Sequence, residues 1–155
     1  MLPYYSYDVS GNDSSSVTGV LKIRDGRVVI DITGSGEMKN IAADGVTAGW
    51  YRDLVNMSTG WMIDPEKVVI NDGVLSIGAG AFSGCGKLQD VEICSDVKRI
   101  GRYAFADCNS LQIIRYSGTK KEWEEIHKED HWRHNSPISS IQCSDGIISI
   151  SDPAE

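Results

Sequence analysis

Three histidines, His127, His131 and His134, fall within eight residues, and the first two stand at i and i+4. On a helix that spacing lets two imidazoles share one metal ion. The order His-Glu-x-x-His is missing and Trp132 interrupts the cluster. Basic side chains gathered at the negative pole of a helix are the better reading, with a metal-dependent enzyme as the less favoured one. Glu124-Glu125 and Glu129-Asp130 interleave with Lys120, Lys121 and Lys128, the pattern of a solvated, ion-paired helix face. Cys85 and Cys108 could approach as a nucleophile pair or a disulfide, but no Cys-His spacing supports a thiolate and no C-x-x-C is present. Gly34-Ser-Gly36 opens like a phosphate loop, yet neither G-x-G-x-x-G nor a Walker lysine follows, so a turn ending a strand is expected there. The expectation is a protein without catalytic residues, metal or cofactor.

The elements that carry these residues are set by an internal repeat. Residues 67–89 align without gaps on residues 90–112, an offset of 23, with ten identities: Val68/Val91, Ile70/Ile93, Val74/Val97, Ile77/Ile100, Gly78/Gly101, Ala81/Ala104, Phe82/Phe105, Cys85/Cys108, Leu88/Leu111 and Gln89/Gln112. Eight of these are apolar or cysteine, the set that faces inward, so the unit reads as one turn of a solenoid. Period-2 spacing at Val68/Ile70 and Val91/Ile93 predicts short strands with these side chains inward. Ala81-Phe82 and Ala104-Phe105 suit a brief helical turn opposite, with Gly78 and Gly101 at the corner. Because one turn cannot bury its own face, Phe82 should lie over Phe105, Leu88 over Leu111 and Cys85 beside Cys108. Recurrence at a core position favours a ladder of buried thiols over a disulfide. A third copy starts at Ile113 and departs from the pattern.

The pattern Val-x-Ile, Val-x-x-Ile-Gly-x-x-Ala-Phe-x-x-Cys-x-x-Leu resembles the BspA-type leucine-rich repeat, also called the Treponema pallidum-type leucine-rich repeat. Tyr116 to Ile126, Trp132 and Ile141 to Gly146 resemble the segment that closes such arrays, and Val29 to Met38 with Trp50 resembles an entry segment. The resemblance implies an α+β repeat solenoid of about two to three 23-residue turns with a parallel sheet. It also implies a non-catalytic protein-interaction or adhesion module of a bacterial protein at the cell surface or secreted, with a protein or glycan ligand, host extracellular matrix included. A structural spacer or display domain within a longer surface protein is the alternative.

The rest of the chain reads as caps. Residues 1–19 are polar and serine-rich and are expected to be a flexible tail. Residues 20–66 form an entry cap in which Asp25-Gly26, flanked by alternating apolar residues, fits a type I′ hairpin turn; Leu21, Ile23, Val28, Ile30 and Ile32 would cover the first repeat, and residues 38–66 show no clean period. Residues 67–116 are the repeats. Residues 117–155 form the exit cap: Thr119-Lys-Lys-Glu122 is a capping box, and the helix it starts would lay Trp123 and Ile126 over the open end as a lid with no repeat beyond it. A hairpin around Ser144-Asp145-Gly146 follows.

The chain has 155 residues, 15 basic and 22 acidic, for a formal net charge of −7. That balance opposes nucleic-acid binding, which needs cations against phosphates, and no apolar run is long enough for membrane insertion. Oligomeric state is not legible. If the Val-x-Ile side chains point inward, alternation sends Lys67, Val69 and Asn71 outward beside Asp90, Glu92 and Cys94, then Ile113, Arg115 and Ser117. The middle row Val69-Glu92-Arg115 allows a cross-strand ion pair, and Tyr51 and Trp132 in the flanking segments are the aromatic candidates for contact with a partner.

Overall fold

The computed structural model describes residues 5–40 and 64–151. Eleven strands are present among them: β1 Tyr5–Asp8, β2 Ser16–Arg24, β3 Arg27–Glu37, β4 Lys67–Ile70, β5 Val74–Ile77, β6 Asp90–Ile93, β7 Arg99–Ile100, β8 Ile113–Tyr116, β9 His127–Lys128, β10 Ser140–Cys143 and β11 Gly146–Ser149. The helix, α1, covers Lys120–Glu125. The fold is a stack of coils on a parallel-rich sheet, and helix content among the described residues is low.

The 23-residue offset becomes the strand register. Val68 pairs with Val91 and Val91 with Ile114 along parallel β4, β6 and β8, and β3 joins the ladder at Ile30, opposite Val68. The inward side chains Ile30, Val68, Ile70, Val91, Ile93, Ile114 and Tyr116 are all buried. A second, shorter parallel ladder runs β3-β5-β7-β9. The strand β3 serves both ladders because it continues to Glu37 through Gly34 and Gly36, where a strand end was expected. Both glycines hold positive φ, and a Cβ on Gly34 would overlap the Ser16 carbonyl. They let β3 bend and keep its neighbour close without ending it.

Opposite the sheet, Phe82 and Phe105 stack with ring centroids 5.6 Å apart, and Leu88 and Leu111 are buried. The expected helical turn at Ala81-Phe82 does not form. Gly80, Phe82 and Gly84 donate their amides to Arg102, Ala104 and Ala106 of the next coil at 2.8–2.9 Å, and donors spent between coils cannot close i to i−4 bonds within one. The alternate amides of Ala81, Ser83 and Cys85 reach back three residues instead. Positive φ recurs at Gly80, Tyr103 and His131, and again at Gly84, Asp107 and Asn135. The turn therefore keeps its shape over three coils, whether or not glycine occupies it.

Those positions also reveal the third coil. It is longer than 23 residues, since Ile113 in β8 pairs with Ser140 in β10, and the excess accommodates α1. Thr119 caps that helix as expected: its Oγ1 accepts from the Glu122 amide, and Glu122 Oε2 accepts from the Thr119 amide. Trp123 and Ile126 are buried. The helix is not a lid, however, because the parallel ladder continues past it into β10. The antiparallel partner β11 then turns the chain back and ends the ladder.

At the other end, the expected tail is folded from Tyr5. Strand β1 pairs with β2, and Val9 and Val17 are fully buried, so alternation of apolar residues begins at Val17 rather than at Leu21. The hairpin turn forms as expected, with Asp25 and Gly26 both at positive φ and Arg24 opposite Arg27. Ile23, near the hairpin tip and past the last core rung, is 44% exposed instead of covering the first repeat.

The corner glycines are fixed by close approach. A Cβ on Gly101 would lie 2.7 Å from Ala79 Cα and 2.8 Å from the Gly78 carbonyl carbon, distances that only movement of the upper coil's backbone can relieve. Gly101→Ala is expected to cost about 1–3 kcal/mol, the usual range for overpacking. A chemical-denaturation midpoint equal to wild type would show that the coils separate freely there.

Candidate functional site

The sheet has one face against the turns and one outward. On the outward face the residues fall in rows across the strands: Asp31, Val69, Glu92, Arg115 and Gln142 are successive partners, and Val29, Lys67 and Asp90 lie in the row beside them. Repeat spacing aligned these strands, and the turn residues Asp25-Gly26 set the hairpin register that adds Lys22 and Arg24 to the same surface.

The charges form a network. Arg115 Nη2 donates to Asp90 Oδ1 at 2.7 Å, and its Nη1 lies 3.6 Å from Glu92 Oε1. Lys67 Nζ lies 3.4 Å from Glu92 Oε1 and 3.6 Å from Asp90 Oδ2. The expected Glu92–Arg115 pair thus exists as the longer arm of a four-residue cluster whose shortest bond is diagonal. Nearer the hairpin, Asp31 contacts Lys22 closely and Arg24 more distantly. Two adjoining depressions lie over this face. One of about 640 Å³ includes Arg24, Arg27, Lys67 and Asp31; the other, of about 290 Å³, includes Asp72, Arg115 and Ser117. They share Val69, Asn71 and Glu92 and so make one trough.

A family model for the BspA type leucine rich repeat region matches residues 62–154 in six copies. The chain belongs to the BspA-type leucine-rich repeat family. A leucine-rich repeat protein from Eubacterium ventriosum ATCC 27560 has a similar fold, with a TM-score of 0.53 and 22% sequence identity over 92% of this chain. The match covers 45% of that protein, so the BspA-type chain spans less than half its length, and the likeness is one of fold. No curated protein matches the sequence. Leucine-rich-repeat domains generally mediate protein interactions, and the BspA type is usual in surface or secreted bacterial proteins. No helix among the described residues is long and apolar enough to cross a membrane.

Of the residues singled out for contact, Lys67, Val69, Asp90, Glu92 and Arg115 come together on the outward face of this BspA-type sheet. Tyr51 lies outside the described residues. Trp132 lies apart from that face and is half-buried against the core: it packs edge-on against Phe105 at 6.5 Å and against Trp123 at 6.1 Å, because the third coil places it at the rung of Ala81 and Ala104. Cys94 also turns inward. Strand β6 ends at Ile93, strict alternation stops there, and the Cys94 thiol points back to the Val74 carbonyl. Burial pushes that thiol up, and behind the face burial together with Glu122 pushes the Tyr116 phenol up to about 12.

The cysteines Cys85 and Cys108 are fully buried, and neither forms a disulfide. The Cys108 thiol is held well above its ordinary range, first by its hydrogen bond with the Cys85 thiol and then by burial, the reverse of what a nucleophile needs. Ser136 continues this column, accepting from the Cys108 amide at 2.9 Å and donating to the Phe105 carbonyl. The histidines do not share a helix, since α1 ends at Glu125. His127 lies on β9, while His131 and His134 pack around Tyr103, at centroid distances of 5.5 and 6.0 Å. Arg24, Arg27, Lys22 and Asp31 on the face escaped the sequence reading. The signal was present in the alternation of Lys22 and Arg24 with Leu21 and Ile23.

Proposed function

We propose that this BspA-type module is non-catalytic and binds a protein partner on the outward face of its sheet, as part of a bacterial surface or secreted protein with an adhesion role. The observation that carries this reading is the trough over Val69 and Glu92, where Lys67, Asp90, Glu92 and Arg115 are fixed by adjoining strands rather than by loops. Ion pairs this exposed contribute only about 0–1 kcal/mol to folding, so the cluster is not needed for stability, and pre-set charges serve partner choice well. Glycans and host extracellular-matrix proteins are the ligand classes to screen. A spacer role is the second reading, favoured by the way Lys67 and Arg115 each find carboxylates within the face itself.

The test exchanges charges with Glu92→Lys and Arg115→Glu together. Thermal stability should fall by no more than about 1 kcal/mol per ion pair lost, the scale of exposed pairs, while binding to a matrix-protein panel and glycan array is lost. A protein that binds wild type and not the variant supports the module reading. Equal binding by both, or binding to nothing on the panel, favours the spacer.

A further inference from the structure

We propose that the hairpin end of the trough receives an acidic, extended peptide segment of the partner, with its carboxylates on Arg24 and Arg27. The inference rests on the outward face being the binding surface and names the chemistry it would accept.

Arg24 and Arg27 are direct cross-strand partners beside the Asp25-Gly26 turn. Like charges placed opposite each other disfavour the hairpin, so their pairing is not explained by folding. Their own carboxylates are distant. Arg24 Nη2 stands 3.9 Å from Asp31, which Lys22 already holds more closely, and Arg27 Nε stands 3.8 Å from Glu66. The two arginine side chains are 64% and 57% exposed, against 13% for Asp31. Asp25 on the turn offsets part of this charge, yet two guanidinium forks still present donors to the trough, and a fork matches a carboxylate through two parallel bonds.

The far end of the trough differs: its one arginine, Arg115, is already paired with Asp90 and Glu92, and Asp72 is exposed at its rim. The site is therefore polarised along the strands: a bound segment would set its acidic residues toward the hairpin and neutral or basic ones toward Asp72. Val69 between them offers an apolar floor. The net charge of −7 does not prevent this, because charges beyond about 8 Å are screened at physiological ionic strength, and the local arrangement decides.

The experiment selects a displayed library of random linear peptides on the full chain, on Arg24→Gln/Arg27→Gln, on Arg24→Glu/Arg27→Glu and on Val69→Arg, all checked for folding by circular dichroism. Wild type should enrich peptides with clustered Asp and Glu. Their affinity should fall about tenfold or more on the Gln variant, as expected for lost charge-assisted bonds, and the Glu variant should enrich basic peptides instead. Enrichment of neutral or basic peptides by wild type, or acidic peptides held equally by both arginine variants, overturns the proposal. If such peptides are nonetheless lost on Val69→Arg, the outward-face reading stands and only the acidic partner falls. If nothing is enriched, or what is enriched ignores every substitution, both fall. A parallel arm with a sulfated oligosaccharide separates the sources of negative charge: its binding without acidic-peptide enrichment also overturns the proposal.

Discussion

Phe105→Ala should lower stability by about 3–5 kcal/mol, the usual result of emptying a buried aromatic site. For a chain of this length that moves the thermal midpoint by on the order of 10 °C. Phe105 is fully buried, with Phe82 stacked at 5.6 Å on one side and Trp132 edge-on at 6.5 Å on the other. It is the middle rung of the aromatic column that joins three coils. Each coil can bury its apolar side only against its neighbours, so removing this rung opens two interfaces at once. Its amide also donates to the Trp132 carbonyl, and that bond survives the substitution, which isolates the loss to the ring. Phe105→Leu should recover part of the stability because it refills most of the volume. Thermal unfolding of Phe105→Ala within about a degree of wild type would contradict a load carried by ring stacking.

The parts of this fold that could be read from sequence are those where side chain and role recur together. Val68/Val91, Phe82/Phe105 and Leu88/Leu111 repeat in type as well as position, so register followed from an offset of 23. The third coil hid because its rungs change chemistry while keeping their place. Lys128 stands opposite Ile100, its ammonium donating to the Trp123 and Ile126 carbonyls. Trp132 replaces alanine, and Ser136 replaces cysteine. A lysine can fill an isoleucine rung when its aliphatic stem packs and its head finds carbonyls, but no pattern of apolar residues announces that. The inserted helix further displaced the count from 23.

Glycine misled in a similar way. Gly34-Ser-Gly36 carries the composition of a turn, yet the backbone there continues as a strand whose neighbour lies too close for any Cβ. Composition reports that a special conformation is needed and does not say which. The outward face was legible in part: alternation placed Lys67, Val69, Glu92 and Arg115 correctly and failed at Cys94, one residue past the end of β6. Alternation with Leu21 and Ile23 marked the outward side of the hairpin, but that Arg24 and Arg27 reach this face depends on the hairpin joining the repeat ladder in parallel through β3.

The second large effect concerns Trp123. It is buried in α1, edge-on to Tyr116 at 5.3 Å and to Trp132 at 6.1 Å, with the Lys128 ammonium 4.8 Å from its ring centre. Trp123→Ala should cost about 3–5 kcal/mol locally, and the distribution of that loss is the informative part. In a stack where each coil contacts only its neighbours, a defect in the third coil should loosen what lies beyond it more than what lies before it. Amide exchange should therefore quicken most in β10 and β11, whose ladder rests on β8, and least in β3 and β4. Had the helix been a terminal lid, the hairpin would not depend on it and β8 alone would lose protection. Uniform loss across β4, β6, β8 and β10 would instead mark a single cooperative unit, in which the repeats do not unfold one coil at a time. Lys128→Met separates the two contributions at this rung. It keeps an unbranched chain there but removes the charge over the indole and the donors to two carbonyls, so β10 protection should fall less than with Trp123→Ala if the ring, rather than the ammonium, holds the third coil together.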